Sequence, residues 1–238
     1  MEPTDQILIV VAMEAEALPI RRKLGLDGHG RQLSDHSSAR IWRNDSICLV
    51  TNGINPRFGV DSIGTIPAAL TTFSAIKAVE PQIVISAGTC GGFKKRDSSI
   101  GEIVIAERCF FHDHRISLGG FEEYGVGNFP VLDLEAVAKR LGFRTGSVST
   151  GDALDAQLSD LERMDEVQAV AKDMEAAAVA WVCEELEVPF TALKVVTDLV
   201  DGEEPTASEF KANLEYASER LSEAMFSLVD ELKKNLNY

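Results

Sequence analysis

Cationic residues are scarce: Lys and Arg total 23 against 38 Asp and Glu in 238 residues, a formal charge of −15. A field of that sign repels phosphate backbones and anionic headgroups, which excludes nucleic acid and membrane surfaces as main partners. No apolar run approaches the roughly eighteen residues of a membrane span, and Met1 to Gln6 is polar and acidic, unlike a secretory leader. Only four cysteines occur, Cys48, Cys90, Cys109 and Cys183, with no Cys-x-x-Cys pair, so neither a zinc site nor a disulfide framework is indicated. A reducing cytoplasm is the expected compartment. No Pro/Ser-rich linker, internal repeat or low-complexity stretch divides the chain, so residues 1–238 are expected to form a single domain. Hydrophobic residues at 45% suffice for a substantial core.

Strand and helix patterns alternate. Ile7 to Ala12 is a β-branched apolar run suited to a strand buried on both faces. A helix is predicted over Glu14 to Leu24, closed by Gly25, and a hairpin over Ala39 to Arg43 and Ser46 to Val50 with Asn44-Asp45 at its turn. Gly59 to Val79 carries helical spacing and Pro81 marks its stop. Further strands are read at Ile83 to Ala87, Gly101 to Glu107, Arg144 to Thr150, Ala169 to Lys172 and Phe190 to Val196; further helices at Leu132 to Leu141, Glu175 to Leu186 and Thr206 to Leu236. The last begins with Thr206 and Glu209 at capping-box spacing. Phe110 to Pro130 is a Gly- and aromatic-rich excursion of little periodicity. This alternation predicts one α/β domain, a three-layer sandwich around a central mixed, largely parallel sheet.

In open α/β sheets, ligands bind beyond the carboxyl ends of the strands. Three acidic clusters directly follow apolar runs: Glu14 and Glu16, then Asp173 and Glu175 around Met174, then Asp198 after Val195-Val196-Thr197. Converging carboxylates can supply a general acid, a general base and a hydroxyl clamp, the set needed to cleave a glycosidic bond. Against this, most acids in so acidic a chain are solvated charges, and Asp173 and Glu175 also fit ordinary first-turn acids favoured by the helix dipole. The strand at Ile83 to Ala87 ends in Gly88-Thr89-Cys90-Gly91-Gly92, whose small residues let the backbone approach a ligand closely. As a phosphate loop the run is weak and a tight turn is the alternative, since it lacks the P-loop lysine and the G-x-G-x-x-G spacing and no arginine adjoins it. Water is the easier co-substrate. His112-Asp113-His114 offers no obvious third metal ligand and is taken as a loop feature; Asp201-Gly202-Glu203-Glu204 reads as a solvated turn.

Five collinear motifs carry a family resemblance: Ala12-Met13-Glu14-Ala15-Glu16, Ser86 to Gly92, Thr150-Gly151-Asp152, Asp173-Met174-Glu175-Ala176 and Thr197-Asp198. From about residue 7 to about residue 232 the chain resembles the 5′-methylthioadenosine/S-adenosylhomocysteine nucleosidases of the nucleoside phosphorylase superfamily, most of all the plant-type branch. The resemblance implies a nucleoside phosphorylase-like fold, a homodimer, no metal or organic cofactor, and hydrolysis of methylthioadenosine to adenine and methylthioribose. It makes Glu16 the carboxylate that activates water, Asp198 the acid at adenine N7, and Glu175 the clamp on the ribose hydroxyls. Met174 would lie against the sugar and Thr89 near the water, with Leu154 beside the purine. Asp173, Lys194 and Thr197 complete the expected substrate-binding set. Lys194 stands where an arginine is common, Leu154-Asp155 replaces an aromatic-aliphatic pair, and the segment between Asp198 and Phe210 is one residue shorter. The excursion with Ile116 and Leu118 resembles the part lent by a neighbouring subunit. The rival readings are a phosphate-dependent phosphorylase and a non-catalytic nucleoside-binding or storage protein of the same fold.

Overall fold

The computed structural model describes residues 6–26, 28–35 and 37–236. Its strands are β1 (Ile7–Val11), β2 (Arg31–Gln32), β3 (Arg40–Arg43), β4 (Ile47–Thr51), β5 (Ile83–Gly92), β6 (Ile103–Phe111), β7 (Phe129–Pro130), β8 (Arg144–Thr150), β9 (Ala169–Asp173) and β10 (Phe190–Leu199). The helices are α1 (Glu14–Lys23), α2 (Thr65–Val79), α3 (Phe121–Val126), α4 (Glu135–Leu141), α5 (Leu158–Glu166), α6 (Ala176–Glu185) and α7 (Thr206–Leu236).

All ten strands join one mixed sheet in the order β10-β6-β8-β9-β5-β1-β4-β3-β2, with β7 on β6. The centre is parallel: β1 lies between β4 and β5, and β5 also pairs in parallel with β10. Successive side chains of a strand point to opposite faces, so a strand covered on both sides reads as unbroken apolar sequence. In β1, Ile7, Ile9 and Val11 join the core beneath α1 and α7, whereas Leu8 and Val10 join the core beneath α2 and α6. Both layers are dense, and the alanines of α6 from Ala176 to Ala180 bring that helix close to the strands.

One end of the sheet closes on itself. Strand β5 pairs with β10 along its length and, at Gly91 and Gly92, with β9, so β5, β10, β6, β8 and β9 form a ring. The glycine run is therefore the extended end of β5 and not a tight turn, and Gly88, Gly91 and Gly92 are absent from the positive-φ positions. What these glycines provide is space. A Cβ on Gly88 would sit 3.3 Å from Glu16 Oε1, and one on Gly91 would sit 2.8 Å from Asp198 Oδ2.

Other expectations shift. Helix α2 starts at Thr65 and not at Gly59, because Gly59 and Gly64 hold φ of 68° and 96° and residues 54–64 run as a loop. Helix α5 escaped the periodicity because, in nine residues, Met164 is its one apolar side chain that is fully buried. The excursion continues β6 to Phe111 and holds α3 and β7. Glu209 does not close a capping box with Thr206; its carboxylate accepts from the Leu199 N–H and fastens α7 to the end of β10. Asp201 is no free turn residue either, since its two oxygens accept from the Lys94 and Lys95 amides at 2.6 and 3.0 Å.

Candidate active site

A cavity of about 620 Å³ opens at the carboxyl ends of β1, β5, β9 and β10. Glu16, Thr89, Leu154, Asp173, Met174, Glu175, Thr197 and Asp198 all line it, so eight of the nine residues singled out in the sequence converge. Lys194 does not line it. It lies behind the wall, 1% exposed, with Nζ 2.7 Å from Asp173 Oδ2 and 3.3 Å from Ser86 Oγ.

Each acid is placed by a specific local device. Glu16 sits in the first turn of α1, where one oxygen accepts from the Met13 amide and the other from the Thr89 amide at 2.8 Å and the Thr89 hydroxyl at 2.7 Å. Asp198 follows a β-bulge: Val196 pairs with Cys90 and Asp198 with Gly91, so Thr197 is the extra residue that turns the acid toward the cavity. The Thr197 hydroxyl lies 2.7 Å from Asp198 Oδ1. Asp173 caps α6 by accepting from the Ala176 amide at 2.8 Å and also accepts from the Thr150 hydroxyl at 2.5 Å. Its helix-terminal role and its place in the site are thus one geometry. Glu175 accepts from the Gly64 amide at 2.9 Å and ties the loop before α2 to the cavity floor.

The electrostatics follow from burial. Removing a carboxylate from water disfavours its charged form. Burial pushes Glu16 up from the ordinary carboxylate range, opposed by the Thr89 donors and the field of Lys194. Burial likewise raises Asp198, against the Thr197 hydroxyl and the charge of Lys172. Glu175 is pushed up to about 7, again chiefly by burial, with Lys194 pulling it back and Asp173 adding to the rise. Burial alone would weaken the Lys194 ammonium, but Asp173, Glu175 and Glu16 outweigh it and hold the proton above the ordinary lysine range.

Several lining residues carried no local signal in sequence. Ile54, Val60 and Ile63 come from the loop before α2, Phe210 from the first turns of α7, and Cys90 and Lys172 from β5 and β9. Cys90 belongs to the Ser86-to-Gly92 motif without having been singled out; the others follow no motif and reach the cavity through tertiary placement. His112, set aside as a loop residue, is buried at the start of the excursion with Nδ1 3.1 Å from Ser149 Oγ, and among the described residues no cluster suited to a metal ion occurs.

Carboxylates beyond the ends of β1, β9 and β10 thus converge on one cleft, an arrangement of acids suited to hydrolytic chemistry. The chain matches the phosphorylase superfamily over residues 6–230. It belongs to the 5′-methylthioadenosine/S-adenosylhomocysteine nucleosidase family within that superfamily. It is 41% identical over 219 residues to a 5′-methylthioadenosine nucleosidase of Arabidopsis thaliana, covering 90% of this chain and 82% of that protein. It is 35% identical over 233 residues to a 5′-methylthioadenosine/S-adenosylhomocysteine nucleosidase of the same plant, covering 96% and 92%. The apo structure of Arabidopsis 5′-methylthioadenosine nucleosidase superposes with a TM-score of 0.92 at 38% identity, covering 96% of each chain.

The buried pair yields a stability prediction. Lys194→Met leaves Asp173 and Glu175 without their compensating cation, and breaking a buried pair from one side costs about 3–5 kcal/mol. Urea denaturation at neutral pH measures it; a midpoint within error of the parent would contradict the pairing.

Proposed function

We infer that this chain hydrolyses the N-glycosidic bond of 5′-methylthioadenosine, giving adenine and 5-methylthioribose. The observation that carries the reading is the cavity wall: Glu16, Glu175 and Asp198 face it, and among the described residues no guanidinium does. Among those residues Lys172 is the one lining cation, and its ammonium donates to the carbonyls of Ala153 and Leu154. Carboxylates so placed repel a phosphate nucleophile and accept a proton from water.

The roles follow the environments. Expelling adenine as an anion is unfavourable, so Asp198, kept toward its protonated form by burial, delivers a proton to N7 as the C1′–N9 bond breaks. Glu16 accepts a proton from the water whose oxygen bonds C1′, with Thr89 fixing the carboxylate. The ribosyl cation that develops between them is stabilised by the surrounding negative charge. Glu175 clamps the ribose hydroxyls, Met174 lies along the sugar, and Leu154 and Thr197 stand at the purine. One water enters, one proton moves from Glu16 back to Asp198 through solvent, and the reaction balances without another reactant.

Residues 1–238 act as one domain, and a second copy completes the molecule. Ile66, Leu70 and Phe73 project from α2, and Leu118 and Phe121 from the excursion, all half exposed or more. An apolar face of this kind marks an association surface, and self-association into a homodimer fits it, with the excursion lent across to the neighbour's cavity. The four cysteines are free and buried, as suits a cytoplasmic protein, and among the described residues no helix is long and apolar enough to cross a membrane. Sedimentation at twice the 25.9 kDa chain mass tests the dimer.

Chromatographic detection of free adenine, with and without phosphate, tests the reaction; S-adenosylhomocysteine run in parallel reads how far the 5′ end of the cavity extends. Release independent of phosphate is expected, and release only with phosphate would make the protein a phosphorylase. Asp198→Asn should fold normally and lose about 10²- to 10⁴-fold in kcat. A second expectation concerns pH. Glu16 works ionised and Asp198 protonated, so kcat/KM should fall as pH drops through the raised Glu16 value and again as pH rises through the raised Asp198 value. The acid limb should therefore lie above 4.5, the ordinary glutamate value. A profile that rises without limit toward alkaline pH would remove Asp198 as the acid.

A further inference from the structure

The mechanism above leaves one buried cation without a task. Lys172, near the end of β9, is 5% exposed and lines the cavity. An ammonium has three N–H donors. Two of them go to the carbonyls of Ala153 and Leu154, at 2.6 and 3.0 Å. Those carbonyls belong to an exposed segment without regular structure between β8 and α5. Upstream, the segment is held at Asp152, whose amide donates to Asp113 Oδ2 at 2.8 Å and whose carboxylate accepts from the Thr65 amide and hydroxyl. Beyond Asp152, the Lys172 bonds are the anchor that brings Leu154 to the cavity.

The same residue and Asp198 line one cavity. Burial pulls the Lys172 ammonium below the ordinary lysine range, opposed first by the charge of Asp198 and then by Asp173, Asp155 and Asp160. Around Asp198 stand the Thr197 hydroxyl, Lys172 and Glu209, and the Cys90 thiol lies in its field. Lys172 is the one cation in that set. Its position and its two carbonyl bonds therefore join the wall of the purine end to the proton donor through a single side chain.

We propose that Lys172 is a positioning residue for the purine: it fastens the Ala153-Leu154 segment as the wall against the base and sets its positive charge beside Asp198. The proposal rests on the hydrolase reading of this site. It implies that seating of the base and strength of the acid are not independent, since a loss at position 172 disturbs both.

Lys172→Met and Lys172→Arg, assayed beside the parent protein on 5′-methylthioadenosine across a range of pH, test it. In Lys172→Met, KM rises by about tenfold or more as two charge-assisted bonds are lost. The alkaline limb of kcat/KM also moves to higher pH, because without the ammonium Asp198 keeps its proton longer. Lys172→Arg keeps the charge and leaves that limb in place. A purely structural anchor would raise KM with the limb unmoved, so an unmoved limb in Lys172→Met, or an unchanged KM, overturns the proposal. Should Lys172→Met not fold, Lys172→Gln removes the charge while keeping a donor, and an unmoved limb there is equally fatal. Absence of adenine release from the parent protein would instead strike the hydrolase reading, so the two failures are distinguishable.

Discussion

Six carboxylates line one cleft; Glu14 pairs with Arg21 and Asp61 lies beside it, while Glu16, Asp173, Glu175 and Asp198 have two ammonium groups, Lys172 and Lys194, among them. For Glu16, Glu175 and Asp198, burial disfavours the charged form more than the neighbouring donors and cations restore it. The structure resolves this by dividing the acids. Asp173 takes the direct bond to Lys194 and two further donors. Glu16 is raised by burial as well, but its carboxylate is steadied by two donors of Thr89 and by the Met13 amide. Asp198 and Glu175 each have one hydrogen-bond donor, Thr197 and Gly64, and are pushed toward their protonated forms.

The backbone serves that division. Parallel pairing brings the carboxyl ends of β1, β5 and β10 to one edge, and the ring closed by β9 adds Asp173 to Glu175 from the far side. A single extra residue at Thr197 aims Asp198, and two side-chain-free positions, Gly88 and Gly91, let Glu16 and Asp198 approach β5. Lys194 differs from a guanidinium in being a compact point charge without a bidentate fork. Here it bonds Asp173 and Ser86 from beneath the cavity wall.

Much of this was legible in the sequence, for stateable reasons. A strand buried on both faces, such as Ile7 to Val11, announces itself by unbroken β-branched residues, and acids just beyond such runs fall at the sheet edge where ligands bind. Glu16, Asp173, Glu175 and Asp198 were found that way. Lys172, Phe210 and the loop residues Ile54, Val60 and Ile63 were not, since their contacts come from segments far apart in the chain. The run from Gly88 to Gly92 allowed both a close approach and a tight turn, because glycine marks either, and only the neighbouring side chains tell which. Asp201 read as part of a solvated turn and Glu209 as a capping-box partner of Thr206, yet Asp201 accepts from the Lys94 and Lys95 amides and Glu209 from the Leu199 amide, contacts made between elements.

Infrared titration of the ligand-free protein in heavy water bears most directly on this division of charge. The carbonyl stretch of a protonated carboxylic acid should persist at about pH 6, well above the range in which exposed Asp and Glu have lost their protons. One component of it should disappear on further titration through about 7, as expected of Glu175. Complete loss of the protonated-acid signal by about pH 5 would mean that every carboxylate in the cleft carries its charge. That result would contradict the account.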